Sequence, residues 1–207
     1  MASPGRSTDR VLKIAAVVLL AAYAGVAGIW WHANRLPRRF AAVVEGQLYR
    51  SGEVTPGQLR RLHGEYGIGR VISFLAADYP VTAAERRTAA QLGMQWENVP
   101  LPGNGASTSA DRQRILALLA EPNAPPTLVH CAAGVNRTGL AVGLYRLQCQ
   151  EWTAQQVLEE LRSHGFEDGP QHENLRQALA AEAERPGTRK QQGARAIGTS
   201  PLEEEER

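Results

Sequence analysis

The sequence predicts an α/β domain with a mostly parallel central sheet flanked by helices, preceded by one transmembrane helix. Three observations carry that expectation. Strand and helix signals alternate from about residue 44 to residue 184, the pattern of parallel strands joined by helical crossovers. Before them stands an uncharged apolar run from Ile14 to Trp31. After them comes a stretch with almost no apolar residues, which can bury no core. The 207 residues thus divide into a flank (1–13), an anchor (14–31), a linker (32–43), a domain (44–184) and a disordered tail (185–207).

Composition narrows the function classes. The 23 basic and 21 acidic side chains leave a formal charge of +2, so no nucleic-acid partner is expected. Two cysteines, Cys131 and Cys149, exclude a disulfide-rich scaffold.

The anchor comes first in the chain. As a helix, the 18 residues Ile14–Trp31 would reach about 27 Å, close to a bilayer's hydrocarbon thickness. Trp30 and Trp31, then His32, Arg35, Arg38 and Arg39, suit a lipid–water boundary. Ala22-Tyr23-Ala24 has the small-x-small pattern of a signal-peptide cleavage site, but the apolar run continues past it, which favours retention. Arg6, Arg10 and Lys13 on one side balance Arg35, Arg38 and Arg39 on the other, so charge does not set the orientation. A short amino-terminal tail before a single span is the signal-anchor pattern and places the domain outside the cytoplasm.

Within the domain, Gln47–Arg50 reads as a short extended piece. Thr55-Pro56 starts a helix that stops near Gly67, and Arg70–Leu75 reads as a buried strand. Thr82 with Glu85 reads as a capping box opening a helix that ends at Gly93. Trp96–Leu101 is the next strand, Pro102–Gly105 a loop, and Thr108 with Asp111 caps a helix through Leu119. Thr127–His130 is a short strand, followed by a helix over Arg137–Gln150. Thr153 with Gln156 caps another to Ser163, and the last covers about His172–Glu184.

The chemistry lies between the Thr127 strand and the Arg137 helix. Cys131 ends a strand, five residues intervene, and Arg137 opens a helix. That spacing turns the backbone N–H groups of Ala132, Ala133, Gly134, Val135 and Asn136 towards one point beside a helix amino terminus. Such a nest binds a tetrahedral oxyanion and favours thiolate over thiol. Arg137 supplies a fork for two phosphate oxygens, and Gly134 lets the backbone bend closely round the ligand. Thr138 can donate its hydroxyl to the sulfur. His130 suits fixing the loop better than acting as a base, and with Thr138 it is expected to stabilise the thiolate.

His130-Cys131-x5-Arg137-Thr138-Gly139 is identified as the signature of the cysteine-based protein tyrosine phosphatase superfamily. The short chain resembles its compact dual-specificity branch. Leu48-Tyr49-Arg50-Ser51-Gly52, Val71–Leu75 and Thr138–Arg146 are similar to bacterial dual-specificity-like phosphatases that carry an amino-terminal membrane span. The likeness covers roughly Val44–Leu179. It implies attack of Cys131 on phosphorus, a phosphocysteine intermediate hydrolysed by water, and a protein phosphatase that needs no metal or other cofactor.

The family pattern also supplies an aspartate as general acid from the loop after the preceding strand. Here Val99–Thr108 contains no acid, leaving Asp78 and Asp111 as weak candidates. Loss of the acid would slow alkyl esters most and matter less for aryl phosphates or phosphoanhydrides.

Rival readings are a rhodanese-like sulfur transferase, an RNA 5′-triphosphatase, an inositol-phosphate or phosphoinositide phosphatase, and an inactive phospho-binding module. The loop's lack of lysine argues against polyanionic substrates, and the intact Cys131 and Arg137 argue for turnover. Cys149 reads as packing, His63 as a helix-surface residue, and the spacing of His164, His172 and Glu173 fits no usual metal set.

Overall fold

The structure, a computed structural model, describes residues 5–185, with side chains for 12–28 and 35–185. It divides between Leu36 and Pro37 into two units.

The first unit holds α1 (Gly5–Asn34), whose described apolar side chains all face solvent. Among the described residues no helix is long and apolar enough to cross a membrane, so the transmembrane span expected over Ile14–Trp31 is not shown. The side chains of Trp30 and Trp31, and residues 186–207 of the expected tail, lie outside the described residues.

The second unit is an α/β layer structure. Its elements run β1 (Ala41–Val44), β2 (Leu48–Ser51), α2 (Pro56–Tyr66), β3 (Arg70–Ser73), α3 (Thr82–Gln91) and β4 (Gln95–Asn98). They continue with α4 (Ser109–Leu119), β5 (Thr127–His130), α5 (Asn136–Cys149), α6 (Ala154–Ser163) and α7 (Glu173–Ala183). The sheet order is β1-β2-β5-β3-β4, with β1 antiparallel and the other neighbours parallel. The edge strand β1 falls where the sequence reading placed a linker. Four small residues carry too little periodicity to announce a strand on their own.

Three helix starts follow the sequence. Thr55, Thr108 and Thr153 each make the reciprocal capping box, with Gln58, Asp111 and Gln156 as partners. The Thr82–Glu85 box does not form. The cap of α3 is Val81 without a side-chain bond, and Thr82 Oγ1 donates instead to the Ala76 carbonyl at 3.1 Å. Glu85 is turned inward and fully buried.

Burial follows the strand alternation of side chains. Ile72, Phe74, Val129 and Cys131 join the core beneath α5, which also packs against α4, α6 and α7. His130, the next residue along β5, points the other way and meets α3. β5 lies between β2 and β3, with Ser51, His130 and Ser73 in register. The carboxyl ends of three parallel strands therefore open at one place, where open α/β sheets bind ligands.

Candidate active site

Cys131 follows β5 directly, and α5 begins five residues later at Asn136. The Gly134 amide donates to Cys131 Sγ at 3.2 Å, so this loop N–H points at the sulfur. Burial pushes the thiol pKa up. The Thr138 hydroxyl and amide, the Arg137 charge and the Gly134 amide outweigh that and hold it below the ordinary thiol value. Thr138 is fully buried, with its hydroxyl also 3.5 Å from the Ser51 carbonyl.

Gly134 is a steric requirement as well as a hinge. Its φ is +73°, and a Cβ there would stand 2.6 Å from the Gly52 nitrogen and 2.7 Å from the Ser51 carbonyl. The loop is pinned from outside at several points. Arg39 donates to the Ala133 carbonyl at 3.0 Å, and the Glu53 amide donates to the Ala132 carbonyl at 3.1 Å. Asn136 Nδ2 donates to the Gly103 carbonyl at 3.2 Å, joining the catalytic loop to the Pro102–Gly105 loop. These bonds fix the loop backbone in place, and a site held in advance costs no reorganisation when charge develops on a ligand.

Arg137 is held by carbonyls. Its Nη1 donates to Phe74 at 3.1 Å and to Leu101 at 3.5 Å, both just past the ends of sheet strands. Its Nε is buried without a partner among the described residues. The guanidinium is therefore oriented by one nitrogen and keeps donors for an oxyanion.

Two further residues of the site escaped the sequence reading. Arg50, fully buried on β2, donates to the Gly134 carbonyl at 3.0 Å. Burial lowers its pKa to about 10, against the opposing influence of Glu160 and Cys131, so it still carries its charge at neutral pH. The signal was an arginine inside a short apolar strand, followed by a small pair, Ser51-Gly52. Glu85 is the second: its Oε2 lies 2.8 Å from His130 Nε2, both side chains being wholly buried. Its Oε1 accepts from Trp96 Nε1 at 2.7 Å. Burial alone would lower the His130 pKa; Glu85 and the neighbouring Cys131 reverse that and raise it.

Of the general-acid candidates, one is engaged at a helix start and the other is exposed. Asp111 Oδ2 accepts from the Thr108 amide at 2.8 Å and from its hydroxyl at 2.7 Å. Those bonds hold its pKa below the ordinary carboxylate value, the wrong direction for a proton donor. Asp78 is exposed in the turn between β3 and α3. His164 Nδ1 lies 2.9 Å from the Glu160 carbonyl at the end of α6, and the His172 ring packs on Phe166.

The structure thus brings together a lowered thiol at the end of a parallel strand, an arginine at the start of the next helix and a loop amide on the sulfur. The chain belongs to the tyrosine phosphatase family, whose model matches residues 36–191. It is 39% identical over 80 residues to the dual specificity protein phosphatase TpbA of Pseudomonas aeruginosa, covering 35% of each chain. It is 27% identical over 135 residues to the inositol diphosphatase SIW14 of Saccharomyces cerevisiae, covering 63% of this chain and 46% of that protein. The matched segments thus span less than half the length of either relative. The solved core catalytic domain of SIW14 superposes with a TM-score of 0.62 at 22% identity, over 79% of this chain and 94% of that one, a likeness of fold.

Proposed function

We propose that this chain hydrolyses phosphate monoesters through a phosphocysteine intermediate, with phosphotyrosine and phosphoserine or phosphothreonine of proteins as its substrates. The carrying observation is the lowered Cys131 thiol facing an Arg137 that keeps free donors. The Cys131 thiolate attacks phosphorus, a sulfur–phosphorus bond forms, and the ester oxygen leaves and takes up a proton. Water then attacks the phosphocysteine, releasing inorganic phosphate and the thiolate. Arg137 and the loop amides hold the equatorial oxygens throughout.

A second substrate class has its own support. SIW14 is by name an inositol diphosphatase, and a phosphoanhydride has a leaving group that needs little help from an acid. Against it, Ala132, Ala133, Val135 and Asn136 give the loop no cation for a polyanion.

The proposal extends to α1 as a membrane anchor. Its apolar side chains between Leu12 and Val26 are 61–76% exposed, which suits a lipid environment better than water.

The test compares the intact chain with Cys131→Ser on an aryl phosphate, a phosphotyrosine peptide and an inositol pyrophosphate. Activity abolished by the substitution and highest on the peptide is the expected result. Equal rates for the two proteins would end the enzyme reading, and preference for the pyrophosphate would replace the substrate class. Because the thiol is the acid being lowered, kcat/KM should fall as pH drops through its value and level off above it.

A further inference from the structure

Glu85 is a buried carboxylate on α3 that the steps above do not use. It sits where a cap was expected, yet it makes no cap bond. Its two oxygens are divided between Trp96 of β4 and His130 at the end of β5. Burying a carboxylate and an imidazole away from water is costly unless they answer each other. Here Glu85 Oε2 and His130 Nε2 stand 2.8 Å apart, one residue from Cys131, a contact of charges without hydrogen-bond geometry. His130 and Cys131 project to opposite faces of the sheet, so Glu85 reaches the sulfur only through the imidazole and the intervening peptide.

We propose that Glu85 is a positioning residue for phosphoryl transfer: by its contact with His130 it keeps the imidazole positively charged behind Cys131, and that charge helps hold the sulfur as thiolate. The inference deepens the phosphocysteine reading and rests on it. The groups acting on the thiol come from four elements: Arg50 on β2, Glu85 on α3 by way of His130 on β5, and Arg137 with the Thr138 hydroxyl on α5. Arg50 keeps its charge at neutral pH. Glu85 and His130 form the part of this set whose charge can be removed by one isosteric change. Losing the carboxylate leaves a buried histidine that burial drives neutral. The sulfur then loses a cation one residue away, while the anion removed lies farther off. The closer charge dominates, so the thiol becomes harder to ionise.

The experiment is the pH dependence of Cys131 alkylation by iodoacetamide in the full chain, followed by mass on the Cys131 peptide. Wild type is compared with Glu85→Gln, Trp96→Phe and His130→Gln. Glu85→Gln should raise the alkylation midpoint by about one pH unit, making modification about tenfold slower below both midpoints. The acid limb of kcat/KM on an aryl phosphate should move by the same amount in the same direction. Trp96→Phe removes the bond to Oε1 but leaves the carboxylate on His130, so its midpoint should stay in place. A folded Glu85→Gln protein with an unmoved midpoint overturns the proposal, as does an equal shift in Trp96→Phe, which would make packing the cause. If Glu85→Gln does not fold, His130→Gln carries the same expectation and the same refutation. Alkylation needs no substrate, so failure of the phosphatase reading would show as absent turnover with the midpoints still separated.

Discussion

Gly134 shows how one missing side chain sets the geometry of the cradle. Two demands meet there: a left-handed backbone, and an approach to Ser51 and Gly52 closer than any Cβ permits. Gly46 separates the two effects, because its φ is +71° but nothing lies within 4 Å of the added carbon. Gly46→Ala should cost about 1–2 kcal/mol, the left-handed penalty alone, partly offset by a stiffer unfolded chain. Gly134→Ala adds an overpacking term of about 1–3 kcal/mol against backbone that cannot swing aside. It should also move the amide now 3.2 Å from Cys131 Sγ. Denaturant midpoints of the two variants, read beside aryl-phosphate turnover, check this. Equal destabilisation with turnover intact in Gly134→Ala would show that the loop tolerates the shift.

At the scale of elements, local signals were legible and non-local ones were not. The boxes at Thr55, Thr108 and Thr153 form because each needs only neighbours three residues apart. Thr82 and Glu85 have the same spacing, yet His130 and Trp96 draw Glu85 into the interior. Nothing in the sequence near residue 85 announces those partners. Arg50 was hidden for a similar reason, since its partner carbonyl is 84 residues away. The loop itself could be proposed from the sequence because its residues occupy seven consecutive positions, 131–137. The α4 box also bears on the general acid. Asp111 serves the helix start, where its charge complements the dipole. Asp111→Asn should therefore cost about 0.3–1 kcal/mol of stability and leave kcat/KM on an aryl phosphate within about twofold. Thermal unfolding and steady-state kinetics measure the two effects separately. A hundredfold loss of kcat/KM in a stable protein would make Asp111 the acid after all.

For the whole molecule, the division between Leu36 and Pro37 assigns separate tasks to the two units. Every residue argued into the site, from Arg39 to Thr138, belongs to the second unit. The sheet, both helical layers and the core under α5 are also complete within it. The first unit contributes a helix whose described apolar side chains are exposed and bury nothing in the core. Stability and chemistry should then be independent of residues 1–36, while attachment to lipid should depend on them. A chain starting at Pro37 is expected to keep its unfolding midpoint and its kcat/KM on a soluble aryl phosphate. It should fail to sediment with phospholipid vesicles under conditions that bring down the full chain. Loss of turnover on truncation would mean that the helix completes the site. Failure of the full chain to sediment would remove the anchor from the proposed function and leave α1's apolar surface to a protein partner.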